Sequence, residues 1–100
     1  MAESRSEILQ MNLDEEASVL EICNEMSRGV DSHGRAEVQE WLIGTLTEFA
    51  SNGEIGFFVD EFGANDIREV GTEEGLALLQ TEAVWSPDNE TMLHVYRIQD

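Results

Sequence analysis

The 100-residue sequence predicts an α+β domain: an N-terminal helical hairpin packed on a small antiparallel sheet, with a further short helix and a C-terminal β-hairpin. Three observations carry this. Apolar residues recur at helical spacing across residues 13–50. β-branched and aromatic residues gather in 54–62 and 92–98. Gly, Asn, Asp and the single Pro punctuate the stretches between them. The length is that of one domain. Residues 1–11 read as a flexible lead-in and 12–100 as the domain.

Asn12 with Glu15 three residues later forms a capping-box pattern, which predicts a helix over 13–28 stopped by Gly29. Leu13, Ala17, Val19, Leu20, Ile22, Cys23 and Met26 cover more than half of its circumference. A face that wide needs two neighbours, or one neighbour and a second copy of the chain. A homodimer through this helix is therefore an expectation beside the simpler one of a central core helix. Asp31 or Ser32 caps the next helix, 35–51. Its Val38, Trp41, Leu42, Thr45, Leu46, Phe49 and Ala50 follow the i, i+3, i+4, i+7 pattern, and Asn52-Gly53 ends it.

Glu54 to Phe62 reads as a strand with Ile55, Phe57 and Val59 on one face and Phe58 on the other. Gly56 within it marks a bulge or a close backbone approach. Ile67 to Val70 is a short helical turn or a second strand. Thr72 caps a short helix whose first turn carries Glu73 and Glu74, where the helix dipole favours them. Ala83 to Trp85 and Met92 to Ile98 form the C-terminal hairpin around a Ser86-Pro87-Asp88-Asn89-Glu90 turn. The expected core is Leu20, Cys23, Met26, Leu42, Leu46, Phe49, Ile55, Phe57, Val59, Leu76, Leu79, Val84, Val95 and Tyr96.

The composition is acidic: 22 Asp and Glu against 5 basic residues, a formal charge of −17, with no lysine. Each half of the chain holds eleven carboxylates, so they coat a folded surface rather than form a tail. Nucleic acid and anionic membranes should repel such a chain; a basic protein surface or a salt-rich medium should suit it. Glutamate outnumbers aspartate sixteen to six. Met1 to Ser6 lacks the apolar run of a signal peptide, and no stretch approaches a membrane span, which reads as cytoplasmic. Asn89-Glu90-Thr91 matches a glycosylation sequon by coincidence.

No arrangement of residues calls for catalysis or a cofactor. His33, His94 and Cys23 lack metal-ligand spacing, and an EF-hand register from Asp60 puts Asn65 where glycine belongs and Gly71 where the bidentate Glu belongs. Cys23 sits among apolar helix positions in acidic surroundings, unlike a reactive thiolate. Asp60-Glu61 and similar carboxylate pairs are inevitable in this composition. His94 alternates with Tyr96 along a strand and should pair across it.

The order of elements loosely resembles a winged helix. That resemblance would make 72–81 the reading helix, but its Glu73 and Glu74, with Asp88 and Glu90 at the hairpin turn, would repel phosphates and leave protein contact as its use. Asp14, Glu21 and Glu25 lie within about 40° on one helical wheel, a stripe able to imitate duplex phosphates or oppose arginines. Trp41, Phe58, Phe62 and Trp85 exceed what a small core covers and would form an apolar patch.

The function expected from these features is non-enzymatic. It is a small acidic module that inhibits or regulates a partner by binding its basic, nucleic-acid-binding surface. Asp14, Glu21, Glu25, Trp41, Phe58, Phe62, Glu73, Glu74 and Trp85 would contact that partner. The alternative is a structural or oligomerisation module whose acidity serves solubility in a salt-rich cytoplasm.

Overall fold

The computed structural model describes residues 5–61, 67–86 and 91–98. Helices α1 (Arg5–Asp14), α2 (Val19–Met26) and α3 (Ser32–Ser51) precede strands β1 (Ile55–Glu61) and β2 (Ile67–Val70). Helix α4 (Thr72–Leu79), a 3-10 turn at Ala83–Trp85 and strand β3 (Thr91–Arg97) complete the order. The strands form one antiparallel sheet, β2-β1-β3, with β1 in the centre. The α+β class is as the sequence predicts.

Two elements differ at the N-terminus. The lead-in is helical from Arg5, and the helix expected over 13–28 is broken. The break is a Schellman turn: Ala17 N–H donates to the Asn12 carbonyl (3.1 Å) and Glu16 N–H to that of Leu13 (3.4 Å). Glu16 takes the left-handed conformation, φ 57°, that glycine usually supplies. Ser18 then caps α2, its Oγ accepting from Glu21 N–H at 3.1 Å. The cap is thus Ser18 with Glu21, whose carboxylate accepts from the Ser18 hydroxyl at 3.2 Å. Asn12 lies inside α1, buried, and donates to the Ile8 carbonyl (2.8 Å) and to Glu25 (2.7 Å).

The next boundaries follow local chemistry. Asp31 caps α3 through Gly34 N–H at 2.8 Å. Gly53, φ 74°, ends the helix, with Glu54 N–H reaching back to the Phe49 carbonyl at 2.9 Å. Gly71 rather than Thr72 is the residue before α4, without a side-chain cap.

All four helices lie on one face of the sheet. Ile55, Phe57, Val59, Leu93, Val95 and Val70 point into them and pack with Leu9, Leu13, Val19, Ile22, Cys23, Val38, Leu42, Leu46 and Leu79. The wide apolar face of α2 is consumed here, between α1, α3, β3 and the 3-10 turn. Met26 alone of that face is only half-buried, so a central core helix accounts for its width without a second copy.

Ala83–Trp85 does not form a strand, so the described residues contain no C-terminal hairpin; residues 87–90 of its expected turn lie outside the described residues. β3 pairs with β1 instead, from Ile55↔Arg97 to Glu61↔Thr91. A three-residue apolar run has no distinguishing period. What decides its fate is that Trp85 is buried and its indole N–H finds the Leu79 carbonyl at the end of α4, 3.0 Å away. The winged-helix arrangement loses its wing with the hairpin. Val95 and Tyr96, both expected in the core, are neighbours on β3 and face opposite sides; Val95 is inside and Tyr96 outside. Met26, Phe49 and Leu76 are half-buried against the core.

Two substitutions test these constraints in urea unfolding. Glu16→Gly should raise stability by about 0.5–1 kcal/mol. Relief of the left-handed strain, about 1–2 kcal/mol, exceeds the entropy that glycine adds to the unfolded chain. Gly75→Ala should lower it by about 1–3 kcal/mol, because the added Cβ falls well inside van der Waals contact of the Phe57 ring.

Candidate functional site

The side of the sheet away from the helices is the candidate site. Pleating turns Gly56, Phe58 and Asp60 of β1 to this side, with Met92, His94 and Tyr96 of β3 and Ile67 and Glu69 of β2. The register sets them in rows: Tyr96 opposite Gly56, then Glu69, Phe58 and His94 across the three strands, then Ile67, Asp60 and Met92. Phe58, His94 and Tyr96 are half-buried, and Ile67 is 68% exposed.

The aromatic residues are ordered by contact. His94 stacks on Phe58 with ring centroids 4.7 Å apart and planes 8° from parallel. Tyr96 is tilted against Phe58 at 6.1 Å. Tyr96 also lies over Gly56, where a Cβ would come within 2.5 Å of its ring, so the glycine serves a close approach rather than a bulge. His94 Nδ1 pairs with the Glu16 carbonyl at 2.8 Å, tying the face to the α1–α2 turn. A shallow hollow of about 280 Å³ lies between Glu16, Phe58, Ile67, Glu69 and Tyr96.

The charge on this side is negative. Glu16, Asp60 and Glu69 border the aromatic rings, with no arginine among these residues. Tyr96 hydroxyl donates to Glu69. That hydrogen bond raises the phenol above its ordinary value of 10.0, with burial and the charges of Glu69 and Glu16 adding in the same direction.

Of the residues expected to contact a partner, Phe58 alone is in this site. Phe62 lies outside the described residues. Trp85 is interior. Trp41 is half-buried on α3 with the Arg5 guanidinium 5.8 Å from its ring. Glu73 is exposed at the start of α4, and Glu74 binds Arg68 at 2.9 Å. The Asp14, Glu21, Glu25 stripe needs one straight helix and dissolves at the Glu16 turn. Asp14 pairs with Arg97 at 3.3 Å, Glu25 with Asn12, and Glu21 with Ser18.

Sequence reasoning missed Ile67, Glu69 and Glu16. Only the pairing of β2 with β1 brings the first two beside Phe58, and nothing local announces that register. Tyr96 was assigned to the core; strict alternation from Val95 would have put it here.

Among the described residues no group of three or more His, Cys, Asp or Glu could hold a metal ion. Cys23 is fully buried beside Ser27, Sγ to Oγ 3.8 Å, and acts as a core residue. No described helix is long and apolar enough to cross a membrane. Comparison with family models, with curated proteins and with solved structures finds no match for this chain.

Tyr96 is the single tyrosine, so ultraviolet titration reports it alone. It should ionise above pH 10.0, and Glu69→Gln should bring it back toward that value. Because its folded value is raised, its contribution to stability is complete below about pH 10 and is lost as the pH climbs through the folded value.

Proposed function

We propose that this chain is a non-enzymatic acidic binding module that engages the basic, nucleic-acid-binding surface of a protein partner and so inhibits or regulates it. The contact is the outer side of the sheet. The observation that carries this reading is a stacked aromatic shelf, Phe58, His94 and Tyr96, bordered by Glu16, Asp60 and Glu69, on a chain of charge −17.

A guanidinium suits that combination. It can lie flat on an aromatic ring while its edge N–H groups meet a carboxylate. The hollow of about 280 Å³ accepts a side chain of a partner rather than a whole substrate. The remaining carboxylates act at longer range, raising the rate of encounter with a positive surface. The same field opposes direct binding of DNA or RNA.

The test begins with a protein retained from cell extract at low salt and released at high salt. Stopped-flow kinetics of the purified pair should then show association slowing at least about tenfold between 0.02 and 1 M salt, as the Debye length shrinks to ~3 Å. Phe58→Ala should weaken affinity by about 2 kcal/mol, roughly thirtyfold, mainly through faster dissociation. An association rate indifferent to salt would overturn the reading.

A further inference from the structure

We infer that β2 accepts a fourth strand: an extended segment of the basic partner pairs with the edge that no described strand occupies, carrying alternate basic side chains past Glu69 on the outer side of the sheet. This rests on the proposed function and adds the mode by which the site is occupied.

The two edges of the sheet are treated differently. Along β3, the α1–α2 turn occupies the edge: Val95 N–H donates to the Ala17 carbonyl at 3.2 Å, and Ser18 bridges to His94. Along β2, the described residues supply a partner on the β1 side alone. In an antiparallel ladder, successive residues direct their N–H and C=O to opposite sides. One of Arg68 and Glu69 therefore presents both groups outward. Ile67, Arg68 and Glu69 are all exposed, and no proline interrupts them. Such a row is a template for strand addition.

The side chains select what can add. Arg68 is turned to the helix side, where Glu74 of α4 holds it at 2.9 Å. Glu69 is turned to the outer side, where Tyr96 hydroxyl takes one acceptor site and leaves others open. A cation opposite Glu69 meets a carboxylate and the Phe58–Tyr96 rings together. The flanking residues of the added strand face Arg68 and Val70, where a second basic side chain would be repelled and an apolar one packs. The complementary segment alternates basic and apolar residues.

A second copy of this chain does not meet that description. Two-fold antiparallel pairing of β2 with itself must keep side chains on matching faces. The two such registers that pair three of its four residues set Arg68 opposite Arg68 or Glu69 opposite Glu69, both like-charge pairs. The total of −17 adds long-range repulsion between copies. Four residues is also a short edge, which limits pairing without charge complementarity.

The test uses the full chain and a seven-residue peptide of alternating Arg and Val. The control is the same peptide with its central backbone nitrogens methylated, which keeps the charge and removes the donors. At 0.02 M salt the first peptide should bind and slow amide exchange at Arg68 or Glu69 about tenfold. The methylated peptide should bind about tenfold more weakly or worse and leave that exchange unchanged. Glu69→Arg should abolish the difference between the two by removing the first one's advantage. Equal binding of both peptides with unchanged exchange overturns strand addition and leaves the proposed function standing. Binding of neither overturns both.

Discussion

The left-handed turn at Glu16 is the constraint on which the remaining architecture depends. It ends α1 and lets Ser18 start α2 in a new direction, so two short helices can cover the sheet where one long helix could not. The same turn supplies the Glu16 and Ala17 carbonyls to His94 and Val95. Those contacts close one edge of the sheet and orient the histidine for stacking on Phe58. A non-glycine residue there carries strain of about 1–2 kcal/mol. The strain is offset by the cap at Ser18, burial of Ala17 and the bonds to β3, which form only if the turn is made.

Three of the five arginines are held against a second element. Arg97 is held by Asp14 and Gln10, Arg68 by Glu74, and Arg5 lies near Trp41. Each connects two elements. The carboxylates on the outer side of the sheet face aromatic rings rather than arginines. Excess negative charge is thus left where the apolar rings are accessible, and that coincidence turns a solvated acidic surface into a candidate docking surface.

The legible parts of the fold were those with local causes. Residues 32–51 carry a sustained helical period, and Asp31 and Gly53 mark its ends. The alternation of Ile55, Phe57 and Val59 marks a strand with one buried face. α1 was hidden because its inward positions are Leu9, Asn12 and Leu13, with a polar residue in the middle, while Met11 is 52% exposed. The turn at Glu16 was hidden because neither glycine nor asparagine advertises it, although Ser18 and Glu21 formed a readable cap. Trp85 was misplaced because an exposed strand and a buried 3-10 turn look alike over three apolar residues.

By itself the sequence determined the α+β class, the longest helix, the inward face of the central strand and a net charge of −17. These depend on period, capping chemistry and composition, which act over a few residues or over the whole chain at once. The tertiary structure alone decided that β1 is central, that β3 pairs with it across the chain, and that Phe58, Glu69, His94 and Tyr96 share the side away from the helices. Strand order and register are settled by which buried faces fit together, and contacts between distant residues leave no trace in the pattern of either segment taken alone.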